Sequence, residues 1–287
     1  MRISIAVFII LITASFYSFE NYAQCSDAGV CSVGGHSKEQ ESRSLFNISA
    51  SFKYGYSGKD DNLKYNSFQV GALYNVLEKT SFQFSIPYNM QSGPLGDVSG
   101  IGDLLVSVNQ NLYSDENSGF DASFGVKLVT GDDNKDNLPM PYQSGLGSND
   151  LILAISYYYD NLTFGAGYQL AGKRNNNVLK LERGDDLLLR AAYNFQFDKL
   201  SIKPQILFIQ RLVKSSILDT TSAQETFIEV ENSNQTQLNL LVLGNYQLSD
   251  NISLFVDFAV PFIKREVNVD GLTRAFSASL GVKFSIN

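Results

Sequence analysis

Tryptophan is absent from this 287-residue chain, histidine occurs once and cysteine twice. The single histidine, His36, lies in an N-terminal polar stretch, so acyl-transfer chemistry has no imidazole base on any regular element. No G-x-S-x-G occurs, and Gly58-Lys59-Asp60 lacks the glycine spacing and the hydroxyl of a phosphate-binding loop. The acidic pairs Asp132-Asp133 and Asp185-Asp186 read as solvated loop charges, and an enzyme is not expected. A net charge of −7 argues against a nucleic-acid partner, which needs a basic footprint.

Long apolar runs are missing too. Residues 3–16 are apolar after Arg2, but this run is shorter than the roughly 20 residues of a membrane-spanning helix. A polar stretch at 18–21 and the small Ala23 follow it, so residues 1–23 are expected to be a secretory signal peptide. No helix-length apolar run remains beyond it. The exported chain crosses a membrane as a β-barrel or not at all.

The two cysteines, Cys25 and Cys31, fall in residues 24–44, a polar tail or small plug. In an oxidising compartment their C-x5-C spacing reads as a small-loop disulfide. A zinc site would add Asp27 and His36, but the spacing matches no strong zinc pattern, and no metal or cofactor is expected. Lipidation at Cys25 would want a small residue where Gln24 stands.

What the chain has in abundance is two-residue alternation. Phe46, Ile48, Ala50, Phe52 and Tyr54 alternate with Asn47, Ser49, Ser51 and Lys53, and Phe276 to Ile286 repeats the pattern. Successive side chains of a strand point to opposite faces, so each stretch has one apolar and one polar face. Twelve such segments fit the span 45–287: 45–56, 65–76, 81–88, 103–113, 120–130, 150–159, 162–171, 186–197, 200–212, 235–247, 252–262 and 276–286. Connections after the even segments are short, and most of those after the odd ones are long. The expected fold is all-β, an up-and-down antiparallel transmembrane barrel of about 12 strands with both termini periplasmic. Residues 91–101 are expected to be a glycine-rich loop, and Pro204 inside a strand is expected to force a bulge.

The polar face would line the lumen. Gly102-Asp103-Leu104-Leu105, Asn149-Asp150-Leu151-Ile152 and Asp185-Asp186-Leu187-Leu188 open three strands alike. Asp103, Asp150 and Asp186 would face inward near the mouth, where they either favour cations or pair with Lys127, Arg190 and Arg211. Leu105, Val129, Ile152, Leu188 and Leu207 also fall on the inward parity, with Ile209. They either pack a constriction or line a route for a partly apolar solute.

The stretches Ser99-Gly100-Ile101-Gly102-Asp103-Leu104, Gly125-Val126-Lys127-Leu128-Val129-Thr130-Gly131-Asp132 and Gln143-Ser144-Gly145-Leu146-Gly147-Ser148-Asn149-Asp150 resemble the outer-membrane barrel family assigned to the meta-pathway of phenol degradation, often called simply a transporter. Val129 stands where that family usually has proline. The resemblance implies a channel for small, often aromatic or hydrophobic, compounds in a Gram-negative outer membrane. Ser279-x-Gly281-x-x-Phe284-x-Ile286 looks like the terminal signal read by the barrel-assembly machinery, although the chain ends in Asn287. Three functions follow: a monomeric diffusion channel for small solutes in outer-membrane lipid, a loop-sealed structural, adhesion or binding barrel, and a secreted soluble sandwich.

Overall fold

A computed structural model of the chain describes residues 44–58, 62–267, 269–272 and 274–286. The signal peptide, most of the N-terminal tail and the Cys25–Cys31 pairing lie outside the described residues. Sixteen strands follow in order: β1 (Phe46–Tyr56), β2 (Lys64–Leu77), β3 (Thr80–Gly93), β4 (Gly96–Ile101), β5 (Leu104–Ser114), β6 (Ser118–Leu128), β7 (Asp150–Tyr159), β8 (Leu162–Leu170), β9 (Asp186–Tyr193), β10 (Phe195–Phe197), β11 (Leu200–Arg211), β12 (Ser216–Leu218), β13 (Phe227–Glu229), β14 (Thr236–Ser249), β15 (Ile252–Ile263) and β16 (Phe276–Ile286). β12 and β13 pair only with each other, β4 prolongs the wall beside β3, and β10 continues β9. The remaining twelve close into one antiparallel barrel. Each wall strand pairs with the next in sequence, and β1 pairs with β16 along its whole length, from Phe46↔Ile286 to Tyr56↔Phe276.

The outward face is apolar along every wall strand: Phe52, Phe68, Ile86, Leu153, Ile155, Phe164, Leu189, Ile206, Val256 and Leu280 are exposed. At one end the strands are joined by tight turns such as Asp160-Asn161, with Asp160 at φ 49°. Tyr113, Tyr159, Tyr193, Phe195, Phe197 and Tyr246 are exposed near these turns, a rim of phenolic and phenyl rings in a chain without tryptophan. Long connections occupy the other end.

Two details depart from the pattern expected of the sequence. Residues 91–101 are not a loop but the tip of β3 and all of β4, a hairpin turning at Pro94-Leu95 with Gly96 at φ +137°. Pro87 lies where β3 passes from pairing with β5 to pairing with β4. Pro204 produces no bulge in its own strand, because the register of β11 against β14 is continuous through Pro204↔Val242. The irregularity falls on the other neighbour. Pro204 has no N–H to give, and the ladder of β11 with β9 and β10 is interrupted beside it, between Gln205↔Ala192 and Ile202↔Phe195, with Asn194 in neither strand.

Ile155 sits midway along β7 on the apolar face. Ile155→Arg is expected to destabilise the barrel by about 2–4 kcal/mol, as charge on the lipid face at mid-depth does. Ile155→Leu should be near neutral. Urea unfolding in lipid vesicles measures both.

Candidate functional site

Inward side chains are contributed by alternate positions of every wall strand, and they fall into layers. Toward the short-turn end the lumen is polar. Asn111 Nδ2 donates to Asp121 Oδ1 at 2.7 Å, Ser123 Oγ to Asn109 Oδ1 at 2.7 Å, and Ser201 Oγ to Asn194 Oδ1 at 2.7 Å. Arg190 Nη2 donates to Ser156 Oγ at 2.8 Å and feels the charge of Asp121. It joins this layer and not the mouth.

Leu105, Ile152, Leu188, Leu207, Leu241 and Ala259 form the next layer, a buried apolar cluster with Ala154, Ile209 and Leu243 packed against it. Leu105 and Ile152 are each 1% exposed, so these side chains are spent on one another. Val129 does not belong to the cluster. β6 ends at Leu128, so the inward parity no longer applies, and Val129 is 41% exposed with its N–H bonded to Asn149 Oδ1 at 2.8 Å.

Above the cluster lies a layer of ion pairs. Asp150, 0% exposed, accepts from Lys127 Nζ at 2.7 Å and also meets Arg183. Asp186 accepts from Arg211 at 3.0 Å and Arg265 at 3.1 Å, and Arg211 reaches Asp270 at 2.8 Å. Asp103 has a different role. Its Oδ1 accepts from the N–H groups of Thr130 and Gly131, at 3.3 and 3.2 Å, and its Oδ2 from Leu146 N at 2.7 Å. This holds both ends of the 129–149 connection down over the lumen. Gly131 and Gly145 cross there so closely that a Cβ on Gly131 would stand 2.7 Å from Gly145 Cα. The three aspartates that look alike in sequence therefore do two jobs, loop anchoring and ion pairing.

Arg183, Arg265 and Asp270 lie on connections without periodicity, and the sequence pattern did not single them out. The one hint was that Arg183 stands two residues before the Asp185-Asp186-Leu187-Leu188 stretch. Burial alone would push the Asp270 carboxyl up, but Arg211, Arg265 and Arg183 hold it well below the usual carboxylate range.

The connection over 129–149 forms a roof. Tyr142 packs with Leu63, Tyr65 and Val98, and Asn89 Nδ2 and Gln91 Nε2 donate to Ser144 O and Gln143 O at 2.7 and 3.0 Å. Asn177 Nδ2 ties the 171–185 connection to it through Asp133 O and Leu138 O, at 2.7 and 3.0 Å. Beneath the roof, against β1, β2, β3 and β16, is a cavity of about 80 Å³.

The two sides of the lumen differ. On β5 to β9, β11 and β14 most inward side chains are buried, with Lys127 at 1% and Asn239 at 0% exposed. On β16, β1, β2 and β3, Ser49, Ser51, Lys53, Gln69, Gln83, Ser279 and Lys283 are only half-buried.

No protein-family model matches the chain, and no curated protein does. Solved structures do. An outer membrane channel from Pseudomonas putida F1 superposes with a TM-score of 0.64 at 14% identity, over 84% of this chain and 95% of that one. The NanC porin gives 0.52 at 10%, over 84% and 100%. The translocator domain of the autotransporter NalP from Neisseria meningitidis gives 0.51 at 10%, over 91% and 93%. The fold is that of an outer-membrane β-barrel. On such a barrel the short-turn rim, the apolar belt and the polar lumen described above are the expected furniture.

Because the Asp270 pKa is depressed in the folded chain, its contribution to stability is present above the ordinary carboxylate value of about 4. It is lost only as pH falls toward the lower folded value. With no native tryptophan, Val267→Trp provides a single reporter on the same connection. Its emission should stay constant from neutral to mildly acidic pH and shift red only below the carboxylate range. In Asp270→Asn the shifted emission should already be present at neutral pH.

Proposed function

We propose that the chain is a monomeric outer-membrane channel of a Gram-negative bacterium that passes small polar solutes by diffusion along one wall of its lumen. The observation that carries this reading is the contrast between the packed wall from β5 to β14 and the half-open wall of β16, β1, β2 and β3. The likeness to an outer membrane channel and a porin agrees with it. Short turns and both chain ends would face the periplasm, the long connections the outside, and the apolar belt the lipid. The apolar lumen residues support a structural constriction and not a path for hydrophobic cargo, since they touch one another and not the cavity. Insertion would follow the C-terminal Phe284-x-Ile286 signal through the barrel-assembly machinery.

The roof favours a second reading, a sealed barrel, because Met140 and Tyr142 are each 3% exposed over a small cavity. Conductance in planar bilayers separates the two. The wild-type barrel is expected to give small discrete steps. Asp103→Ala, which releases the N–H groups of Thr130, Gly131 and Leu146, should enlarge them severalfold. A heat-modifiable, folded barrel silent in both forms would establish the sealed reading.

A further inference from the structure

Four charged side chains line the cavity of about 80 Å³ beneath the roof: Lys53, Arg274, Asp103 and Asp270. There are two of each sign, and each is already engaged. Asp103 accepts from three backbone N–H groups, and Asp270 accepts from Arg211. Arg274 donates to Gly271 O at 2.7 Å and lies over the Tyr65 ring, 3.1 Å from its centroid, while Lys53 meets the charge of Asp257. An ion entering here would give up its hydration for charges that are already balanced. The cavity favours neither cations nor anions.

What it leaves open is neutral hydrogen bonding. Gln91 is 8% exposed, and its Nε2 donates to Gln143 O at 3.0 Å. Its Oε1 is buried and has no hydrogen-bond partner among the described residues, and the same is true of Ser67 Oγ on the neighbouring strand. Tyr65 lies opposite Gln91 and Ser67 opposite Asn89 in the register of β2 with β3. Ser67 and Gln91 are thus diagonal neighbours on one face, about 7–8 Å apart at Cα. Buried polar atoms are normally paired, so both positions call for a partner. Gln91 Oε1 can only accept, and Ser67 Oγ can accept or donate, so a hydroxyl suits either.

The same cavity also has an apolar lining, at Pro87, Met140, Leu146 and Leu272. Its volume is several times the room that one water needs. Water serves the polar atoms but gains nothing from the apolar ones. A small polyol offers hydroxyls to the first and C–H groups to the second, and it releases several ordered waters on entry.

We infer that the cavity is a binding site for a small neutral polyol, whose hydroxyls bond Gln91 Oε1 and Ser67 Oγ and whose carbon chain rests on Met140 and Leu272. This rests on the channel reading above and deepens it to a solute class.

The test is erythritol titrated onto the refolded full-length barrel in a planar bilayer in KCl, with the conductance corrected for that of the bulk solution. The expected result is a saturable fall in conductance. Ser67→Ala should raise the half-saturating concentration severalfold. Gln91→Met, which keeps the side-chain length and removes the acceptor, should do the same if Ser67→Ala does not refold. Ser107→Ala deletes another buried, unpartnered hydroxyl, on the packed wall, and should leave the half-saturation where it was. A corrected conductance that does not change with erythritol means that the cavity takes up water only. That result, or a saturable fall that Ser67→Ala and Gln91→Met leave unmoved or that Ser107→Ala moves equally, overturns the inference and leaves the channel reading standing. A folded, silent barrel overturns both.

Discussion

A backbone surrounded by hydrocarbon has no water to bond to, so every N–H and C=O of a wall strand must find a partner on its neighbours. The structure depends on this constraint more than on any side chain. It requires β9 to reach β11 and β1 to reach β16, leaving no open edge among the twelve wall strands. It also explains how a proline inside a strand is tolerated. Pro204 withholds one donor, and the ladder beside it is interrupted between Gln205↔Ala192 and Ile202↔Phe195 while the opposite ladder runs on unbroken.

Closure has a consequence for charge. Strand alternation that gives lipid an apolar face must send the polar side chains to the inside, where a narrow lumen cannot hydrate all of them. Buried ions are costly unless paired, and removing one partner of a buried pair typically costs about 3–5 kcal/mol. The lumen answers with a layer in which Asp150, Asp186 and Asp270 are each held by basic residues, two of them, Arg183 and Arg265, supplied by the long connections. The same pairs that neutralise the wall therefore pin the connections over the mouth. Filling one side in this way, with the apolar cluster beneath it, leaves the opposite wall of serines, glutamines and lysines less covered.

Much of this was legible in the sequence, because a strand writes its two faces into adjacent residues. The alternation from Phe276 to Ile286 and the short turn at Asp160-Asn161 translate directly into β16 and a tight hairpin. The apolar inward set was legible too, except at Val129, where parity was extended one residue past the end of β6. The hairpin of β3 and β4 was hidden by its glycines, which weaken strand propensity but do not forbid pairing across Gly93↔Gly96. The different fates of Asp103, Asp150 and Asp186 were not readable. Local sequence is similar at all three, and the partners that distinguish them stand on other strands and on connections up to 84 residues away, as in Asp186 to Asp270 through Arg211. Tertiary pairing of this kind leaves no periodic trace.

A lumen with one packed wall and one less covered wall is open to a thiol-accessibility measurement. In a background with Cys25→Ser and Cys31→Ser, Ser51→Cys on β1 and Ser107→Cys on β5 place the same small change on opposite sides. A charged methanethiosulfonate is expected to modify the cysteine at position 51 in the folded barrel and to leave the one at 107 protected until the barrel unfolds. Equal rates at the two positions, or faster reaction at 107, would contradict it.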